Sequence, residues 1–193
     1  MELFFKKKKI TLDQLSYSFV CETMDINING IDINLDETSK KLVKSITMLG
    51  SIVYIQLYIS TYLVNNNEVD QEKISYNVGK SVIDSLFYWY KKQNMSESAI
   101  KENMDIMNDF YDDIFESKEF KSDKNVDEQI YLYINNRIFK ELNINNAKNV
   151  EIQSIIAEYT KEILNKLFDT GKRIFKKYEV VLDKYGTRKI EKN

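Results

Sequence analysis

Apolar side chains recur every three or four residues through successive segments of this 193-residue chain. That spacing matches one face of an α-helix, and most of these segments open on a residue type that caps helix N-termini. The chain has no proline and only five glycines, so its backbone chemistry forces few turns. We therefore predict a compact all-α bundle of about five or six helices, with a core of useful size.

The predicted helix starts are local patterns. Thr11 and Gln14 form a capping-box pair ahead of the first helix. The next four helices each have one predicted cap, namely Asp36, Asp70, Ser96 and Asp127.

The last helix is predicted to begin near Val150. Its apolar stripe continues through Ile174, Tyr178, Val181 and Tyr185, and Gly171 interrupts it. A glycine inside a helix is unfavourable, so we expect a bend there or a division into two helices.

The second helix contains the most apolar stretch of the chain. Residues 45–67 carry no charge, and a run of that length is compatible with a membrane span. Polar residues nevertheless interrupt it, and the surrounding amphipathic helices need an apolar partner. We predict that residues 46–64 form the buried central helix of a soluble bundle.

Several kinds of catalytic site are excluded by composition. The chain has no histidine, which removes Ser-His-Asp and Cys-His catalysis and every imidazole-ligated metal site. The single cysteine, Cys21, cannot form an intramolecular disulfide, and the start lacks the pattern of a secretory signal. We expect a cytoplasmic protein without a cofactor.

Residues 25–36 admit three interpretations. Asp25, Asn27, Asn29 and Asp36 occupy positions one, three, five and twelve of a loop that resembles an EF-hand calcium site. The Asn29-Gly30 pair is also typical of a two-residue hairpin turn, which would place the isoleucines at 26, 28, 31 and 33 on one face. A small β-hairpin between the first two helices that binds no calcium is favoured, with the calcium loop and a plain connection as alternatives.

Carboxylates form a stripe on the fourth predicted helix, at spacings of three or four residues: Asp105, Asp109, Asp112, Glu116 and Glu119. Asp109, Asp112 and Glu116 are candidate Mg²⁺ ligands. The Glu116–Glu119 pair resembles half of the paired motif of all-α nucleotide pyrophosphohydrolases, although the next helix lacks the matching pair. A solvated acidic face is favoured.

Charge is segregated along the chain. Residues 1–10 carry a net charge of +3, residues 171–193 carry +5, and the remainder carries −10. We expect a mobile basic segment at 1–10, followed by one helical domain at 11–193. The candidate contacts with an anionic partner or membrane are Phe4, Phe5, Lys6, Lys7, Lys8, Lys9, Lys172, Arg173, Lys176 and Lys177.

By exclusion, these features favour a non-catalytic helical protein that binds another macromolecule, with a protein as the expected partner. One alternative is a Mg²⁺-dependent phosphohydrolase that uses the acidic stripe. Another is a protein held peripherally at a membrane by its basic ends. Nucleic acid is disfavoured because the chain has only three arginines.

Overall fold

The computed structural model describes residues 7–25, 35–67, 70–121, 125–145 and 147–182. Within that part of the chain, six α-helices surround a common core and two short strands form a parallel pair. The predicted all-α class is confirmed. The elements are β1 (Lys8–Thr11), α1 (Leu12–Met24), α2 (Glu37–Asn66), α3 (Gln71–Lys92), α4 (Glu97–Glu116), α5 (Val126–Glu141), a 3₁₀ turn (Ala147–Asn149), α6 (Val150–Lys177) and β2 (Tyr178–Val181).

Most predicted helix starts are confirmed by side-chain caps. Thr11 Oγ1 accepts from the Gln14 amide at 3.2 Å, and Gln14 Oε1 accepts from the Thr11 amide at 3.1 Å. Three single caps also accept from the backbone three residues later, namely Asp36, Asp70 and Ser96. Each cap satisfies a backbone N–H that the helix itself leaves unpaired.

The predicted cap of α5 is wrong. Asn125 caps this helix by accepting from the Glu128 amide at 2.9 Å, and Asp127 lies inside the first turn. Both residue types cap well. A start at Asn125 additionally places two carboxylates in the first turn, where the helix dipole favours negative charge.

Helix α2 lies at the centre of the bundle and contacts α1, α3, α4, α5 and α6. It is long and apolar enough to cross a membrane by length and composition alone, yet most of its apolar window is buried inside the protein. The predicted burial of residues 46–64 is confirmed. Most of the polar interruptions are covered as well, since Thr47, Ser51, Gln56 and Ser60 are buried, whereas Thr61 is exposed.

Helix α6 runs without a break through Gly171, so the predicted division into two helices does not occur. The α-carbon of Gly171 faces the ring of Tyr58 in α2. A Cβ at this position would lie 2.2 Å from Tyr58 Cε1. Close packing against α2, rather than a helix break, therefore explains this glycine.

The strand pair was missed by the sequence prediction. β1 and β2 run parallel, with Ile10 paired to Val180 and Thr11 paired to Val181. Tyr178 and Val181 thus belong to a strand rather than to the last helix, and Tyr185 lies outside the described residues. β1 spans the boundary predicted after residue 10 and joins residues 8–11 to the end of α6. Residues 1–6 lie outside the described residues, so their expected mobility stays a prediction.

Candidate anionic-surface interface

The strand pair brings the two basic ends of the chain together. Lys8 lies opposite Tyr178 and Lys9 opposite Glu179, while the last two turns of α6 lead directly into β2. Six exposed cations lie in these adjoining segments, with Lys8 and Lys9 on opposite sides of the strand pair, and we call them the basic face: Lys8, Lys9, Lys172, Arg173, Lys176 and Lys177. The sequence predicted these residues as candidates, and the structure brings them to one end of the fold.

The four α6 cations point away from the core. Leu167 and Phe175 are buried against the bundle, and a rotation of about 100° per residue places the cations on the opposite side of the helix. Lys172–Lys176 and Arg173–Lys177 are like-charged pairs four residues apart, a spacing that destabilises a helix slightly. Cations near a helix C-terminus do interact favourably with its dipole. The dipole interaction explains Lys176 and Lys177, which lie in the last turn, better than it explains Lys172 and Arg173.

In the part of the chain that the structure describes, carboxylates lie near some residues of the basic face but form no ion pair with them. Within the described residues, none of the six cations forms an ion pair. Lys172 Nζ instead lies 4.0 Å from the centroid of the Phe168 ring, and one Arg173 Nη donates to Thr170 Oγ1 at 2.8 Å. Glu179 lies opposite Lys9 in the strand register, and Arg173 lines a cavity together with Glu22, Asp25 and Asp169. The six cations still outnumber these four acids. The face therefore keeps a net positive charge.

Lys7 has a different role from its neighbours. Its Nζ donates to the carbonyl oxygen of Phe175 at 2.8 Å. That carbonyl belongs to the last turn of α6, where oxygens have no partner within the helix. Lys7 therefore caps α6. The other predicted contacts, Phe4, Phe5 and Lys6, lie outside the described residues.

The acidic stripe of α4 does not converge with a second set of acids. Asp109, Asp112 and Glu116 are exposed. Glu119 lies beyond the end of the helix and accepts from Asn136 Nδ2 at 2.8 Å. The described residues contain no group of three or more side chains placed to hold a metal ion.

Helix α5 contacts α4 through Arg137, which pairs with Asp113, an acid next to the stripe. Arg137 Nη1 lies 2.9 Å from Asp113 Oδ2, and Arg137 Nε lies 3.0 Å from Glu141 Oε1. The paired carboxylate motif of all-α nucleotide pyrophosphohydrolases requires acids from both helices. The described geometry therefore gives no support to a phosphohydrolase site at this position.

The candidate calcium residues are only partly described. The Asp36 carboxylate caps α2 and accepts from both the amide and the hydroxyl of Ser39 at 2.9 Å. Asp25 is exposed just after α1. Asn27, Asn29 and the predicted hairpin at 26–33 lie outside the described residues, so the three interpretations of this loop stay predictions.

One polar pair, between a buried tyrosine and an exposed aspartate, was not predicted. Tyr54 of α2 and Asp127 of α5 both line a cavity of about 360 Å³. Burial raises the pKa of Tyr54, and desolvation raises the pKa of Asp127 despite the exposure of that side chain. Nothing in the apolar run around Tyr54 signals this contact.

No family model matches this chain, and neither a curated protein nor a solved structure is significantly similar to it. The residues themselves therefore carry the functional argument.

Proposed function

We propose that this is a non-catalytic helical protein that binds another macromolecular surface through the basic face, and that this surface is an anionic membrane. The observation that supports the proposal is the β1–β2 pair, because it joins two basic segments from opposite ends of the chain. The α6 segment alone supplies four cations, the lower limit of this kind of recognition, and β1 adds two. Together they provide six cations, within the range of four to eight that is typical of anionic-lipid recognition.

The chemistry of the face favours lipid headgroups over a protein partner. Five of its six cations are lysines, which are depleted in protein interfaces, whereas arginine and aromatic residues are enriched there. Its one arginine already bonds to Thr170. Exposed lysines on flexible stems suit a diffuse layer of headgroups, since such a layer does not require fixed bidentate geometry.

The expected affinity is modest and depends on salt. Each lysine or arginine near an anionic leaflet contributes on the order of 1 kcal/mol, so the face supplies about 6 kcal/mol before the cost of orienting the protein. The Debye length falls from about 10 Å at 0.1 M salt to about 3 Å at 1 M. Binding should therefore be peripheral, reversible and lost at high salt.

Vesicle co-sedimentation tests this proposal. The wild-type protein should pellet with vesicles that contain anionic lipid at about 0.1 M salt and should dissociate from them at about 1 M salt. With purely zwitterionic vesicles the protein should stay in the supernatant. A variant with Lys8, Lys9, Lys172 and Lys176 changed to Gln loses about 4 kcal/mol, which corresponds to roughly a 1,000-fold lower partition coefficient.

The matched control removes the same net charge elsewhere. It carries Gln at four exposed lysines outside the basic face, namely Lys41, Lys44, Lys101 and Lys121. This control should bind nearly as well as the wild type. An equal loss of vesicle binding in the two variants, or binding that does not depend on the lipid charge, would show that the basic face is not the membrane contact.

A further inference from the structure

A groove lies between α3 and α4, above the middle of α2, and shares no residue with the basic face. It encloses about 370 Å³, within the size range of small-molecule sites. Its base is Gln56, and its walls include Ile83 and Met107. The rings of Tyr76 and Tyr111 also line it, and Tyr76 is 71% exposed.

Gln56 is an unusual residue to find at the base of this groove. Its side chain is only 4% exposed, and its Oε1 has no hydrogen-bond partner among the described residues. Buried polar atoms are nearly always paired, because an unpaired one loses its hydration without compensation. An apolar residue of similar size would pack here without that loss. Seven other described side-chain atoms are also buried without a partner. Gln56 additionally lines the groove, where a donor from outside the protein fits.

Gly79 is a second feature of the groove that is unfavourable for the free protein. It lies in the middle of α3, where alanine would be a better helix former. A Cβ at Gly79 would meet no atom within 4 Å, so packing does not require glycine there. The missing side chain keeps the groove open. Gly79 and Gln56 thus each lower the stability of the free protein, for different reasons, and both line the same cavity.

We propose that this groove binds a small, uncharged aromatic molecule that carries an amide group. The tyrosine rings, Ile83 and Met107 suit the apolar body of such a molecule. Either orientation of the Gln56 amide offers one donor group and one acceptor, which pair with the N–H and C=O of a second amide. Among the described residues that line the groove, Lys80 is the one charged group, and its exposed ammonium stays in solvent. An ionised ligand buried against Gln56 would therefore lack a fixed partner and is disfavoured.

Benzamide is the probe for this proposal, with toluene and benzoate as comparisons. Titration is followed by ¹H–¹⁵N NMR, including the side-chain amide signals of Gln56. Benzamide should shift those signals with a dissociation constant on the order of 1 mM, as expected for a ligand of this size. Toluene should bind at least about fivefold more weakly because it lacks the amide, and benzoate should not bind. Failure of benzamide to shift the Gln56 signals would overturn the proposal.

Two variants separate occupancy of the groove from the role of the amide. Gly79→Leu fills the groove and should weaken benzamide binding at least tenfold, whereas Asp84→Leu, an exposed position on the same helix outside the groove, should have no effect. Gln56→Met should weaken benzamide about tenfold, leave toluene unchanged, and raise the melting temperature. Unchanged benzamide binding by Gly79→Leu would refute the site. An equal loss of benzamide and toluene binding in Gln56→Met would refute the amide contact.

Discussion

Replacing Gly171 by alanine should destabilise the protein, although alanine is the better helix former. The substitution gains about 1 kcal/mol in helix propensity. The new Cβ, however, would lie 2.2 Å from Cε1 and 2.8 Å from Cζ of Tyr58, whereas carbon atoms pack best at about 3.5–4.0 Å. The overlap therefore exceeds about 1 Å, and one of the two helices or the ring must move.

Tyr58 has little freedom to move away. Its ring lies 6.3 Å from Phe19, 5.6 Å from Phe168 and 6.0 Å from Phe175, measured between centroids. Forced overpacking in such a cluster costs up to about 3 kcal/mol. After the gain in propensity, we expect Gly171→Ala to lower the free energy of unfolding by about 2 kcal/mol.

Urea unfolding of a double-mutant cycle measures this coupling. In a Tyr58→Leu background the clashing ring atoms are absent, so Gly171→Ala should stabilise by about 1 kcal/mol and its sign should reverse. Gly79→Ala is the control, because its Cβ meets no atom within 4 Å, and it should stabilise by about 0.5–1 kcal/mol. If Gly171→Ala changed stability equally in both backgrounds, the packing explanation of this glycine would be refuted.

Two further predictions concern charged residues at helix ends. Hydrogen bonds from Ser39 hold the pKa of Asp36 below its ordinary value, so its stabilising effect is complete at neutral pH and is lost as the pH falls below about 4. The difference in melting temperature between wild type and Asp36→Ala should shrink over that range, and a constant difference would contradict it. Lys7→Met removes the donor to the Phe175 carbonyl and should cost about 0.5 kcal/mol in urea unfolding, whereas Lys8→Met should cost nothing measurable. Equal effects of the two lysine variants would argue against the capping role of Lys7.

The sequence alone determined the helices and most of their starts. Thr11, Asp36, Asp70 and Ser96 each cap through a bond to a residue three positions away, and such a bond depends only on local geometry. It also indicated the burial of residues 46–64, because an uncharged helix among amphipathic helices is removed from water at the centre of the bundle. Asn125 and Asp127 mark the limit of this reasoning, since two good caps two residues apart cannot be ranked locally.

Only the tertiary structure decided how distant segments meet. Lys7 and Phe175 are 168 positions apart, and their contact depends on how every helix between them packs. The same holds for Gly171, where contact with Tyr58 overrides the local tendency of glycine to end a helix. The lysines of the basic face and the polar Gln56 were visible in the sequence as isolated residues. Their arrangement as a charged corner and as the base of a groove follows from long-range packing, which has no local sequence signal.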